Sequence, residues 1–266
     1  LFSANGNAKR FVLDVSGALP DPVRLRWQLS TQDALPFWLL SASTERFEPS
    51  RLGFADGHAY RAQLAASGNS RRAQIVGEVS RDGKNLIIEP SALALADDRI
   101  ELEDVRVQFD GAVFTAKGSF ARDGELASQG IDVTVSNYQL PLAEKAGRTD
   151  VPVKLNGLAR WSGRLTQWQL RANGDLQRGT DEARFELSGS GTDQSMRLPM
   201  LRVQTKQGGL NGRAEVFWKT KPSFAFTGQL QQFDPSYFFA DFPGAISAET
   251  QFSVEKPADK DWQGRV

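Results

Sequence analysis

Apolar and polar residues alternate along most of this chain. Val23-Arg24-Leu25-Arg26-Trp27-Gln28-Leu29 sets a rhythm that returns at Val105-Arg106-Val107-Gln108-Phe109 and at Ile131-Asp132-Val133-Thr134-Val135. Successive side chains on a strand point to opposite sides of a sheet, so each run makes one apolar face and one wet face. The pattern predicts about seventeen strands. The clearest cover residues 9–17, 22–30, 59–67, 73–80, 99–109, 112–121, 129–136, 151–162, 182–190, 196–205, 209–218, 222–232 and 245–254. Asp82-Gly83, Asp110-Gly111, Asp123-Gly124, Asn173-Gly174 and Gly208-Gly209 read as the hairpin turns between such strands. Apolar parity changes between Leu102 and Val105, which predicts a bulge or corner at Glu103-Asp104. Gly157, Gly174 and Gly212 inside regular runs read as bends or as places where two backbones approach closely.

Three segments break the rhythm, each with a proline beside apolar residues: Ala34 to Leu40, Gln139 to Leu142 and Phe233 to Phe239. They are expected to be short helices laid across the end of a sheet, the first capped by Asp33 and the last by Asp234 with Pro235 at the first helical position. Their prolines, at 36, 141 and 235, are spaced by 105 and 94 residues. That spacing reads as a degenerate repeat of a chain that grows in one direction, with units 1–136, 137–232 and an incomplete 233–266. At 266 residues the chain is longer than a usual single core. The expectation is therefore one elongated all-β segment, an antiparallel sheet with two or three short helical interruptions, excised from a longer chain.

Charge and composition narrow the function. Lys plus Arg and Asp plus Glu each number 32, so there is no electrostatic reason to expect nucleic acid. Without cysteine there are no disulfides and no zinc-finger site, and the apolar runs, such as Leu35 to Leu40, are too short to span a bilayer as helices. His58 is the sole imidazole, so a triad or a histidine metal site lacks its partners. The glycines of Ser188-Gly189-Ser190-Gly191-Thr192 and Gly208-Gly209-Leu210-Asn211-Gly212 lead into strands, where a phosphate loop needs a helix. Asp97, Asp98, Glu101, Glu103 and Asp104 lack the glycine of a calcium loop and read as a solvated face. No catalytic residue, metal site or cofactor is expected. The 17 Phe and 6 Trp, many on the apolar side of strands, remain as either core or ligand-facing groups.

The interrupting segments, with Leu140-Pro141-Leu142 and Asp234-Pro235-Ser236-Tyr237-Phe238, are followed by Leu155-Asn156-Gly157 and Pro243-Gly244. Together with Val203 to Gly212 leading into Val216-Phe217-Trp218, and with Gly228 to Pro235, they resemble the periplasmic β-domain of the AsmA-like family, of the bridge-like lipid transfer superfamily. The likeness is best over residues 130–255. It implies a long sheet curled into a taco-like trough with an apolar interior, periplasmic and bridging the inner and outer membranes, in a protein anchored to the inner membrane by a segment outside this one. It further implies phospholipid acyl chains as cargo and a TamA-like outer-membrane barrel partner. Parity marks the positions that would line the groove: Val23, Leu25, Trp27, Leu29, Val105, Val107, Phe109, Phe114, Ile131, Val133, Val135, Val153, Leu155, Phe185, Leu187, Val216, Trp218, Phe224 and Phe226. Two other readings stay open. One is a scaffold that holds unfolded outer-membrane proteins by strand addition, and the other a β-sandwich or solenoid with a filled core.

Overall fold

A computed structural model describes residues 2–7, 9–17, 22–32, 35–48, 58–121, 126–140, 152–164, 166–218, 222–234, 244–255 and 263–265. They form strands and connections, with no helix among the described residues. Contacts divide the chain into two units, residues 1–122 and 123–266. The first holds β1 (Phe2–Asn7), β2 (Arg10–Gly17), β3 (Val23–Ser30), β4 (Phe37–Phe47), β5 (Tyr60–Gly68), β6 (Arg72–Arg81), β7 (Lys84–Leu95), β8 (Arg99–Phe109) and β9 (Ala112–Ala121). The second holds β10 (Leu126–Gln139), β11 (Lys154–Arg164), β12 (Gln167–Arg178), β13 (Asp181–Gly191), β14 (Ser195–Thr205), β15 (Gly209–Phe217), β16 (Ser223–Phe233), β17 (Ile246–Glu255) and β18 (Gln263–Arg265). Within each unit every strand pairs antiparallel with the next in sequence, a meander built from local contacts alone.

The alternation read from the sequence becomes the pairing register. Asp82-Gly83 and Asp110-Gly111 make two-residue turns with positive φ at all four positions, 50°, 78°, 51° and 80°, the twist that suits a tight hairpin. Asn173-Gly174 is not a turn: it lies inside β12, where Gly174 faces Phe185 and a Cβ would meet that ring at 2.8 Å. The glycine makes room for an aromatic ring on the neighbouring strand, a role that its dipeptide does not announce. Asp123-Gly124 lies outside the described residues.

Bulges then keep one face apolar. The expected corner at Glu103-Asp104 is present as a register shift between Leu102 and Val105. Its neighbour β7 shifts between Ile88 and Ala92, with Pro90 in the break, the place where a missing N–H costs no ladder bond. Ser91 there is fully buried, donates to the Glu89 carbonyl at 2.7 Å and accepts from the Arg106 N–H at 3.0 Å. Further shifts fall between Val135 and Tyr138, Leu198 and Leu201, and Leu230 and Phe233. Each spans three residues, so both flanking apolar side chains stay on the same side of the sheet.

The first of the helical interruptions needs correction. Phe37 to Leu40 open β4, paired to β3 through Ser30–Phe37 and Trp27–Leu40. Pro36 is followed by an apolar run that is half-buried on one side and exposed on the other, which a strand satisfies as well as a helix. Gln139 ends β10 and Phe233 ends β16, while 141–142 and 235–239 lie outside the described residues.

Candidate functional site

Paired residues in an antiparallel ladder share a face, so the registers show what the alternation brings together. In the first unit Val23, Leu25, Trp27 and Leu29 face the same way as Leu13, Leu40 and Trp38. Val105, Val107, Phe109 and Phe114 share a face with Leu86 and Ile88. In the second unit Ile131, Val133 and Val135 align with Trp161, Ala159 and Gly157, and Leu155 with Leu176. Phe185 and Leu187 pair with Val203 and Leu201, Val216 with Phe224, and Phe226 with Phe252.

These positions differ sharply in cover. Val153, just before β11, is 1% exposed and sits with Leu176, Ala183, Val203 and Phe233 in a closed cluster, against which Leu155 and Phe185 pack. Phe226 is 3% exposed, clustered with Leu198 and Ala214 and stacked on Phe252 at 5.5 Å. In the first unit the buried apolar residues are only Ala73 and Ala112 among those described, and Leu25, Trp27, Leu29, Val105, Val107, Phe109 and Phe114 are half-buried. Val23, at 38%, is exposed. Aromatic rings meet edge to face on this side, Phe11 with Trp27 at 5.9 Å and Trp161 with Trp168 at 5.7 Å, and Trp161 Nε1 is buried with no hydrogen-bond partner. Trp218 is placed elsewhere: 42% exposed beyond the end of β15, it donates its indole N–H to the Asp193 carbonyl at 2.8 Å and folds over a turn.

Parity also carries residues that the sequence reading did not single out, notably Trp38, Leu40, Leu170, Leu176 and Phe252. Alternation across β12 was signal enough for two of these. Trp38 and Leu40 were hidden by the helical reading of their segment.

The opposite side is wet and ion-paired across strands. Asp14 meets Arg26 at 3.5 Å, Glu45 meets Arg61 at 3.0 Å and Glu215 meets Arg197 at 3.4 Å. Arg160 grips both oxygens of Asp132 at 2.6 Å, and these hydrogen bonds hold that carboxyl below its usual range against the opposing effect of burial. Carboxylates of the 97–104 cluster are met by arginine, Glu101 by Arg99 at 2.8 Å and Glu103 by Arg72 at 3.3 Å. No group of three or more His, Asp or Glu suited to a metal occurs among the described residues, and His58 is exposed ahead of β5. Among these residues no helix is long and apolar enough to cross a membrane.

Each unit is thus an antiparallel β-meander with a partly open apolar face and an ion-paired polar one. Over residues 94–266 the chain matches the family described as TamB, N-terminal domain, and it belongs to that family. The match reaches further toward the N-terminus than the likeness over 130–255. Membership points to a TamB-type role in outer-membrane assembly, in the cell envelope. No curated protein and no solved structure matches the chain.

Proposed function

We propose that the chain is a non-enzymatic periplasmic carrier that holds phospholipid acyl chains against its apolar face, curled as a trough, and passes them toward the outer membrane beside a TamA-like barrel partner. The observation that carries this reading is an apolar face with little cover. Among the described residues of the first unit only Ala73 and Ala112 are buried apolar residues, while Val15, Val23 and Leu64, on the face of Leu25 and Trp27, are 36%, 38% and 43% exposed. An apolar face left open in this way is unfavourable unless something covers it.

An acyl chain fits. In water it costs about 0.8 kcal/mol per methylene, or about 11 to 13 kcal/mol for a chain of ~14 to 16. Aliphatic and aromatic side chains without fixed polar contacts offer near-uniform affinity along the face, which lets a chain slide. Mass spectrometry of lipid retained by the purified protein tests this, with phospholipid expected in near-stoichiometric amount. Protein purified without lipid, and unable to take it up from phospholipid vesicles, refutes the reading.

A further inference from the structure

Three hairpin ends share one construction. Asn7 Oδ1 accepts from the Lys9 and Arg10 N–H groups at 2.9 and 3.0 Å, Asn69 Oδ1 from Arg71 and Arg72 at 2.8 and 3.0 Å, and Thr192 Oγ1 from Gln194 and Ser195 at 3.1 and 3.2 Å. The carbonyl of the third residue is then bound by the next hairpin: Lys9 by Thr31 N–H at 3.0 Å, Arg71 by Leu95 at 2.6 Å, Gln194 by Trp218 at 3.1 Å. Each turn is therefore fixed through its backbone. The side chains at its third and fourth positions are free to vary, and in the first unit they are Lys9-Arg10 and Arg71-Arg72 where the second has Gln194-Ser195.

Both cationic turns belong to the same end of the first unit's meander, four strands apart from β2 to β6, or about 19 Å. Among the described residues Lys9, Arg10 and Arg71 have no ion pair, while Arg72 meets Glu103 at 3.3 Å. The β7–β8 turn at this same end carries Asp97 and Asp98, the latter 4.0 Å from Arg99, so the cationic character belongs to the β1–β2 and β5–β6 turns and not to the whole end. At the opposite end, among the described residues, Arg46 pairs with Glu48, Arg61 with Glu45, Arg81 with Asp82 and Lys84 with Asp110. Directly behind each cationic turn the apolar face carries an aromatic ring. Phe11 pairs with Gly6, and Trp38 pairs with Gly68 and donates to the Asn69 carbonyl at 3.3 Å. Lys9 and Arg71, which lie in the turns themselves beside these rings at the end of an apolar surface, match a phospholipid end to end, with acyl chain on the face, glycerol level with the rings and phosphate at the cations.

We propose that the β1–β2 and β5–β6 turns are each a contact for the phosphate headgroup of a phospholipid whose acyl chains lie on the apolar face of the first unit, giving that unit a preference for anionic headgroups. This rests on the lipid-carrying reading above and adds a polarity to it: headgroups leave the face at one end only.

The test compares the protein with its Lys9→Gln/Arg71→Gln variant, which installs the residue that the third turn already carries at that position. Each is incubated with vesicles of equal phosphatidylglycerol and phosphatidylcholine, separated by flotation, and its retained lipid counted by mass spectrometry. Total lipid should be unchanged, and the ratio of anionic to zwitterionic lipid should fall at least about fivefold at low salt, the effect of one cation at a charged lipid interface. That difference should vanish at high salt. An unchanged ratio, or an equal fall in an Arg46→Gln/Lys84→Gln control at the other end, overturns the headgroup contact while leaving lipid carriage intact. Wild-type protein that floats with the vesicles yet retains no lipid overturns both, and marks the turns as a bilayer-docking surface.

Discussion

Glycines on the apolar side carry much of the local fit. A Cβ at Gly212 would meet Phe226 Cζ and the Thr227 carbonyl, each at 2.6 Å, because that ring lies over the gap between Gly212 and Gly228. Gly212→Ala is expected to cost about 1 to 3 kcal/mol through overpacking, whereas Gly17→Ala, with nothing within 4 Å, should be nearly neutral. Thermal melts of the two variants check the contrast. On the polar side, Asp132 is, among the described residues, the carboxylate with a clear environmental shift, downward, caused first by its hydrogen bonds from Arg160. Below its ordinary value near about 3.9 the unfolded chain binds this proton first. The pair's contribution is therefore complete above that pH and is lost as pH falls through the lower folded value. Asp132→Asn should lower the melting temperature at neutral pH, and the gap from wild type should close as the pH is taken well below 4. A gap that stays constant with pH would remove the carboxylate's ionisation from the explanation.

At the level of strands, alternation determines almost everything, because it fixes both which residues share a face and where strands lie. Thirteen of the strands were legible with ends shifted by three residues or fewer. The corner at Glu103-Asp104 was legible too, since a change of parity has no other economical cause. What escaped had a physical reason. β4 follows Pro36 with four apolar residues in a row, a pattern without parity, and β12 carries Asn173-Gly174, whose turn preference is overridden by the Phe185 ring above the glycine. Burial was not legible at all: Val107 and Phe226 obey the same alternation, yet Val107 is half-buried and Phe226 only 3% exposed. The two should part under substitution by arginine. Val107→Arg can carry its guanidinium to water and should fold while reducing lipid uptake. Phe226→Arg places an unpaired charge in a closed cluster and should unfold the second unit. Circular dichroism melts with lipid counting on the folded variant separate these outcomes. A Val107→Arg protein that folds and takes up lipid normally would take this part of the face out of the carrier's path.

For the whole molecule the decisive feature is how few apolar side chains folding hides: among the described residues ten are buried, and only two of them, Ala73 and Ala112, belong to the first unit. A chain with so open a face has stability to gain from any ligand that covers it in the folded state alone, by an amount that grows with the logarithm of ligand concentration over its dissociation constant. Adding a single-chain phospholipid below its micelle concentration should therefore raise the melting temperature in proportion to acyl length, each methylene adding up to about 0.8 kcal/mol of burial. A headgroup-only analogue such as glycerophosphocholine should do nothing. If length has no effect, or if the headgroup alone stabilises as much, the apolar face is not where lipid binds, and the surface it leaves open must be covered by protein.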